Sequence, residues 1–143
     1  MRTFTKTLLI LILFCGSFSS VKAQFVTIPD PNFAAWLNTN GFSSCMNGNQ
    51  LDTLCSLVVN TKLLNCSLSN ISDLTGIVYF DNLDTLLCND NSLTSISDFP
   101  DSLKILYCHN NCINTLSNLP NSVSVIYCYS NVLTSLSNLP TSL

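Results

Sequence analysis

A pattern of 20 residues is written three times between Leu83 and Ser142, and it constrains the fold more than any other feature of the sequence. Corresponding positions keep the same residue type: Cys88, Cys108 and Cys128; Asn91, Asn111 and Asn131; Pro100, Pro120 and Pro140. A fixed period of this length indicates stacked units, because each unit buries its apolar edge only against its neighbours. The sequence therefore predicts a series of similar coils with one continuous core.

Each copy contains a segment with the alternation of a short β-strand. In the first copy, Leu86 and Cys88 would face one side and Leu87 the other, because successive strand side chains point to opposite faces. One strand per coil gives a parallel sheet with inward columns of side chains. Free cysteine behaves as a small apolar residue, and neighbouring parallel strands hold such thiols too far apart for a disulfide. The predicted structural cysteine ladder consists of Cys66, Cys88, Cys108 and Cys128.

The asparagine and proline columns predict how each coil turns. An amide side chain both donates to and accepts from peptide groups that lack sheet partners, so we expect a structural asparagine ladder. Its members are Asn91, Asn111 and Asn131. Proline disfavours a helix and holds the preceding residue in an extended conformation. The return side of each coil is therefore predicted to be extended.

The repeat, LxxLxCxxNxLxx(L/I)xx(L/F)PxS, resembles the leucine-rich repeat, and its Leu-Pro resembles the 20-residue bacterial class of such repeats. Upstream, residues 64–77 resemble a 22-residue coil of the internalin type, although Ser69 stands where asparagine is expected. The resemblance to secreted bacterial leucine-rich-repeat proteins implies an α/β-type repeat solenoid. Its short parallel β-strands would line the concave face, its convex side would be extended, and a helical cap would cover the N-terminal end.

Residues 1–23 are typical of a secretory signal peptide, with basic residues followed by the apolar run 8–14 and small residues at the cleavage positions. Cleavage is expected after Ala23. An alternative lipoprotein signal would use Cys15, but Phe14 is large for the position before an acylated cysteine. The apolar run is too short to span a bilayer, so we expect a secreted or outer-surface protein without a transmembrane span.

Residues 24–60 are predicted to form the N-terminal cap. A helix is expected at about 31–40, since Asp30 is a suitable N-cap. Cys45 and Cys55 flank a polar loop and are a candidate disulfide in an exported protein. Residues 61–143 are the predicted repeat coils. Because the last residue occupies the first position of a further coil, we expect the repeats to be C-terminally truncated.

Composition and residue types argue against several functions. After removal of the signal peptide the chain keeps two lysines against eight aspartates, a net charge of −6, which excludes a basic surface for nucleic acid. There is no glutamate, and His109 is the single histidine. Nothing supplies the base, nucleophile and orienting group of a hydrolase. We therefore expect no enzymatic activity and no cofactor.

A metal site is not expected either. Cys108, His109 and Cys112 are close in sequence, but strand alternation places Cys108 and His109 on opposite faces. The oxidation state of Cys112 is left open. The aspartate pairs at repeat spacing lie in turns and lack the glycine-rich pattern of calcium-binding coils. These pairs are Asp81 with Asp101 and Asp73 with Asp98.

The candidate binding residues lie opposite the core, on the face that leucine-rich-repeat proteins use for their partners. Exposed tyrosines are enriched at binding hot spots, but these side chains could instead simply pack on each other across strands. The predicted binding residues are Leu87, Asn89, Ile105, Tyr107, His109, Val125, Tyr127 and Tyr129.

The resemblance and this patch together predict a non-enzymatic extracellular recognition module that binds a protein or glycan, as a monomer or as part of a longer chain. One alternative is a spacer or targeting segment of a larger secreted enzyme or adhesin. Another is the repeat region of a cytosolic effector with a ubiquitin-ligase domain, which the signal peptide and the candidate disulfide disfavour.

Overall fold

The computed structural model describes residues 25–134, 136 and 139–143. The predicted signal peptide and the alternative acylation site at Cys15 lie outside these residues. In chain order the regular elements are β1 (Phe25–Thr27), α1 (Pro31–Thr39), β2 (Met46–Asn47), β3 (Gln50–Asp52), α2 (Ser56–Asn60), β4 (Leu63–Asn65), β5 (Thr85–Leu87), β6 (Ser95–Ile96), β7 (Ile105–Tyr107), β8 (Thr115–Leu116) and β9 (Val125–Tyr127). None of the described helices has the length and apolar character needed to cross a membrane.

Helix α1 begins where a carboxylate caps it. Oδ1 of Asp30 accepts hydrogen bonds from the backbone N–H groups of Asn32 and Phe33, both at 2.8 Å. These groups would otherwise lack partners at a helix start. Phe33 and Leu37, one turn apart, are fully buried, so the helix presents one apolar face to the core.

The segment between Cys45 and Cys55 differs from the polar loop expected from the sequence. It contains β2 and β3, which pair antiparallel, and β1 pairs with the other side of β3. Gly48 has φ +63° at the turn, a left-handed conformation that glycine adopts without steric cost. The predicted disulfide between Cys45 and Cys55 is confirmed, with 5.6 Å between their Cα atoms.

The predicted parallel sheet is confirmed. Its strand order is β4-β5-β7-β9, and each register step matches one repeat, so that Leu64, Leu86 and Leu106 are aligned. All three side chains are at most 1% exposed. Ile126, the next in this column, is half-buried. The column forms the inner layer of the core.

In the second and third coils the return segments close the coil on the other side of the core and are extended, as predicted. The first coil differs, because its return contains a 3₁₀-helix, Ile77–Tyr79, and no proline. Strands β6 and β8 pair in parallel, with Ile96 aligned to Leu116. Phe99 and Leu119, which precede the prolines of their repeats, are also buried. These extended return segments set the thickness of the coils and leave the opposite surface of the main sheet facing outward.

Candidate ligand-binding face

The outward side of the β4-β5-β7-β9 sheet, here called the outward face, carries three rows of side chains that cross the strands. The first two rows follow from the strand register. The third lies just past the strand ends, where backbone hydrogen bonds continue the same alignment. The rows are Leu63, Thr85, Ile105 and Val125; Asn65, Leu87, Tyr107 and Tyr127; and Ser67, Asn89, His109 and Tyr129.

Aromatic rings stack on each other within two of these rows. The ring centroids of Tyr107 and Tyr127 are 4.5 Å apart with planes 19° apart, and those of His109 and Tyr129 are 4.5 Å apart at 15°. Tyr107 and His109 meet edge to face at 6.2 Å. Cross-strand packing is therefore present, yet Tyr127 and Tyr129 are still 44% and 58% exposed. The stacks form a fixed aromatic surface that solvent reaches.

The structure brings the eight predicted binding residues together on this face. The other six are half-buried: Leu87, Asn89, Ile105, Tyr107, His109 and Val125. Sequence reasoning missed Leu63, Asn65 and Ser67, which extend the same rows into the first coil, and Leu63 is 58% exposed. The 22-residue step from Cys66 to Cys88 in the sequence would have found them.

A hydrogen-bonded polar network borders the third row, and we call it the Asp90 network. Ser67 Oγ donates to Asn89 Oδ1 at 2.8 Å, Asn89 Nδ2 to Asp90 Oδ2 at 2.7 Å, and Asn110 Nδ2 to Asp90 Oδ1 at 2.8 Å. The hydrogen bonds from Asn89 and Asn110 hold the pKa of Asp90 below its ordinary value, with a smaller contribution from His109. Asp90 is therefore a carboxylate at neutral pH, oriented by two amides.

The backbone turns in the same way beside each outward strand. Four aligned residues adopt a left-handed conformation: Leu68 at φ 55°, Asp90 at 55°, Asn110 at 54° and Ser130 at 52°. Asparagine and aspartate tolerate this region better than a branched apolar residue. Leu68 is nevertheless there, with 80% of its surface exposed. The turn column thus places polar groups at the strand ends of coils two to four and a leucine in the first.

The opposite edge of the outward face carries an ion pair. Lys104 Nζ lies 3.0 Å from Asp84 Oδ1. The hydrogen bond from Lys104 lowers the pKa of Asp84, and the charge of Lys62 contributes further. Both groups are substantially exposed, so the pair adds little to stability. Its consequence is that Lys104 neutralises the charge of Asp84 where the strands begin.

The asparagines at the turns tie neighbouring coils together. Asn111 Nδ2 donates to the carbonyls of Cys88 and Cys108 at 3.0 and 3.1 Å, and its Oδ1 accepts from the N–H of Leu93 at 3.0 Å. Asn131 makes the same three contacts one coil later. Asn91 Oδ1 accepts from the N–H groups of Ser69 and Ile71 in the first coil. Asn91 therefore supplies the acceptor for the turn of the first coil, in which Ser69 stands where the repeat predicts asparagine.

The four cysteines of the column are free thiols, and three of them are inaccessible to solvent. Cys66, Cys88 and Cys108 are free thiols with no exposed surface, while Cys128 is half-buried and Cys112 is exposed. Burial raises the pKa of Cys66 and Cys108 to about 12 and that of Cys88 well above its ordinary value. Within the described residues, no three histidine, cysteine or aspartate side chains are placed to hold a metal ion.

Comparison with known proteins identifies the fold. No protein-family model and no curated protein matches the chain. The leucine-rich-repeat domain of a Shigella effector matches with a TM-score of 0.56 and 30% identity over 61% of this chain. The functional domain of InlJ from Listeria monocytogenes, which includes a cysteine ladder, matches with a TM-score of 0.62 and 24% identity over 82%. This chain spans 39% and 26% of those two chains. With its four-stranded parallel sheet, the chain has a leucine-rich-repeat fold.

Proposed function

We propose that this protein is a non-enzymatic extracellular recognition module that binds a protein or glycan through the outward face of its parallel sheet. The aromatic stacks carry the proposal. Exposed tyrosine rings held in fixed positions supply contact area at low entropic cost, and tyrosine is enriched among residues that dominate binding energy. Leucine-rich-repeat neighbours fit an interaction module. In this proposal the outward face is the concave face of the solenoid.

The proposal includes a domain organisation. Residues 1–23 act as a signal peptide cleaved after Ala23, residues 24–60 as the N-terminal cap, and residues 61–143 as an internalin-type coil followed by 20-residue repeats of the bacterial class. A disulfide between Cys45 and Cys55 supports an oxidising compartment. The free thiols of Cys66, Cys88 and Cys108 are compatible with that compartment, because solvent does not reach them.

Contacts between the first 60 residues and the first coil support the cap. The rings of Phe42 and Phe80 meet edge to face at 5.4 Å. Asn32 Nδ2 donates to the carbonyl of Asn70 at 2.7 Å. A repeat array has an apolar first edge that a terminal unit must cover. Helix α1 and its neighbours provide this cover in the proposal.

The state of the reactive groups supports binding without catalysis. The thiol is a nucleophile only as a thiolate, and the raised pKa values of Cys66 and Cys108 keep them protonated at neutral pH. The ring of His109 is stacked on Tyr129, and its buried Nδ1 has no hydrogen-bond partner among the described residues. The outward face therefore offers surface and hydrogen bonds rather than an activated nucleophile.

The test starts from arrays of immobilised oligosaccharides and peptides probed with the full chain. For each ligand found, affinity is compared between the wild type, Tyr127→Ser with Tyr129→Ser, and the control Leu54→Ser with Leu57→Ser. The control removes apolar side chains of similar exposure, 60% and 47%, outside the outward face. The proposal predicts at least a tenfold weaker affinity for the tyrosine variant and no change for the control.

Two outcomes would contradict the proposal: no ligand on either array, or a ligand whose affinity does not depend on Tyr127 and Tyr129. The second outcome would favour the alternative in which the repeats are a spacer or targeting segment of a larger protein. Circular dichroism of each variant establishes that a loss of binding is not a loss of folding.

A further inference from the structure

Resting on the proposed function, we propose that the ligand is an uncharged linear oligosaccharide that crosses the strands of the outward face along the Asp90 network and the adjacent aromatic rings. Four features of the outward face carry this inference. They are the charge distribution, the fixed hydrogen-bonding groups, the adjacent aromatic rings and the spacing of side chains on neighbouring strands.

The outward face is nearly neutral although the chain is acidic. Asp84 is paired with Lys104, which leaves Asp90 as the single acidic residue at the strand ends. The other six aspartates lie in the N-terminal region or in turns and return segments: Asp30, Asp52, Asp73, Asp81, Asp98 and Asp101. A polyanionic ligand would be repelled by the acidic chain, and a polycationic one would find few carboxylates on this face. The charge pattern favours a ligand without net charge.

The Asp90 network is suited to hydroxyl groups. A carboxylate has about four acceptor positions, and Asn89 and Asn110 occupy two of those of Asp90. Asn110 is exposed, and its side-chain amide keeps a second N–H and the oxygen Oδ1 for a ligand. Each sugar hydroxyl both donates and accepts, so an array of fixed acceptors and donors meets it without rearrangement. A network already held by its own bonds loses little entropy on binding.

The aromatic rings lie next to this network. His109 and Tyr129 are in the third row, directly before the residues of the turn column, and the Tyr107 and Tyr127 pair lies in the second row. One side of a pyranose ring presents mainly C–H groups, which pack on the ring surface that the stacking leaves exposed, chiefly that of Tyr127 and Tyr129. Polar groups on one flank and aromatic rings on the other match the two sides of such a sugar.

Spacing favours a sugar over an extended peptide. Equivalent side chains on neighbouring strands recur every ~4.8 Å, and the stacked ring centroids here are 4.5 Å apart. A sugar unit in a linear glycan has a length close to this step, so successive units could meet successive coils. In an extended peptide, side chains on the same side recur only every two residues, or roughly 6.6 Å, so they do not match the spacing of the strands.

The experiment uses the full chain on an array of neutral and acidic linear oligosaccharides graded from disaccharide to octasaccharide, beside an array of peptides. We expect binding to neutral glycans that strengthens with length and does not change with added salt, because no ion pairs form. For the strongest neutral glycan, Asp90→Asn should weaken affinity about tenfold through loss of a charged acceptor. Asparagine accepts the left-handed backbone at this position, so folding is preserved.

The matched control is Asp98→Asn, which removes the same charge from an exposed residue of a return segment. Its affinity should equal that of the wild type. Equal weakening by both variants, or binding only to acidic glycans, would overturn the inference. Peptide binding that depends on Tyr127 and Tyr129 would overturn it as well but leave the proposed function standing. Absence of any ligand on both arrays would overturn both.

Discussion

The carboxylate of Asp30 joins the N-terminal helix to the first coil through Ser72. Its Oδ2 accepts hydrogen bonds from both the N–H and the Oγ of Ser72, each at 2.7 Å, while its Oδ1 caps helix α1. Burial raises the pKa of Asp30, but the hydrogen bonds from Ser72, Phe33 and Asn32 outweigh it and lower that pKa below 3.8. One side chain therefore caps helix α1 and binds the backbone of the first coil.

Asp30→Asn should lower the free energy of unfolding at neutral pH by about 1–3 kcal/mol. The amide nitrogen of asparagine cannot accept the hydrogen bonds that one of the two carboxylate oxygens of Asp30 accepts. A lowered folded-state pKa stabilises above the ordinary value and loses this contribution as pH falls through the folded value. The difference between wild type and variant should thus be constant above about pH 5 and shrink in stronger acid.

Denaturant unfolding at several pH values measures this difference. The exposed Asp98 provides the control, since Asp98→Asn should retain the acid sensitivity of the wild type. A difference between wild type and Asp30→Asn that does not narrow in acid would show that the Asp30 carboxylate is not what joins the two elements.

Asn111→Ala should destabilise the fold by at least 1–3 kcal/mol, because it removes the partner of buried peptide groups in two coils. Asn114 lies three residues further on and is exposed, and among the described residues its side chain accepts a hydrogen bond only from Thr115. Asn114→Ala should therefore change stability by less than about 0.5 kcal/mol. Equal effects of the two substitutions in urea unfolding would contradict the role given to the asparagine column.

Leu106→Ala should cost about 2–5 kcal/mol as a large-to-small change at a side chain with no exposed surface. Ile105, its neighbour on the same strand, faces outward and is half-buried. Ile105→Ala should cost clearly less, because the strand alternation places its side chain outside the core. Thermal and urea unfolding of both variants measure the difference. A larger loss of stability in Ile105→Ala than in Leu106→Ala would mean that the core lies on the other side of the sheet.

Thiol reactivity should distinguish the cysteines of the folded chain when residues 24–143 are produced alone. A thiol reagent such as DTNB at neutral pH should label exposed Cys112 rapidly and leave Cys66, Cys88 and Cys108 unlabelled until the chain unfolds. Burial, which raises the pKa of these three thiols, is the reason. Half-buried Cys128 is also open to the reagent, so Cys112→Ser together with Cys128→Ser should abolish labelling of the folded chain. Rapid labelling that persists in this double variant would mean that Cys66, Cys88 or Cys108 is accessible.

The coils were predictable from the sequence because the same residue types recur every 20 positions. The inward positions of Leu86 and Leu106 follow from alternation within one strand, and the 20-residue period then aligns neighbouring strands. The outward position of the tyrosines follows from the same alternation. The stacking of Tyr107 on Tyr127 did not follow from it, because side-chain rotamers decide whether aligned rings meet.

The N-terminal region was predicted less completely, since it does not repeat. The cap residue Asp30 and the pair Cys45 and Cys55 have local signatures, but β2 and β3 are only two and three residues long. β3 is stabilised by antiparallel pairing with β1 on one side and β2 on the other. The pairing with β1 is a contact between segments distant in sequence. The second role of Asp30, at Ser72, is equally non-local and left no signal in the sequence.

NMR of the ring signals of labelled tyrosines tests the central claim most directly, because the sequence contains four tyrosines and supplies its own control. Tyr107, Tyr127 and Tyr129 lie on the outward face, whereas Tyr79 is the last residue of the 3₁₀-helix Ile77–Tyr79 that precedes β5. Titration with a ligand found on the arrays should shift the signals of the first three and leave that of Tyr79 unchanged. A shift of Tyr79 alone, or bound ligand with no shift of the other three, would contradict recognition through the outward face.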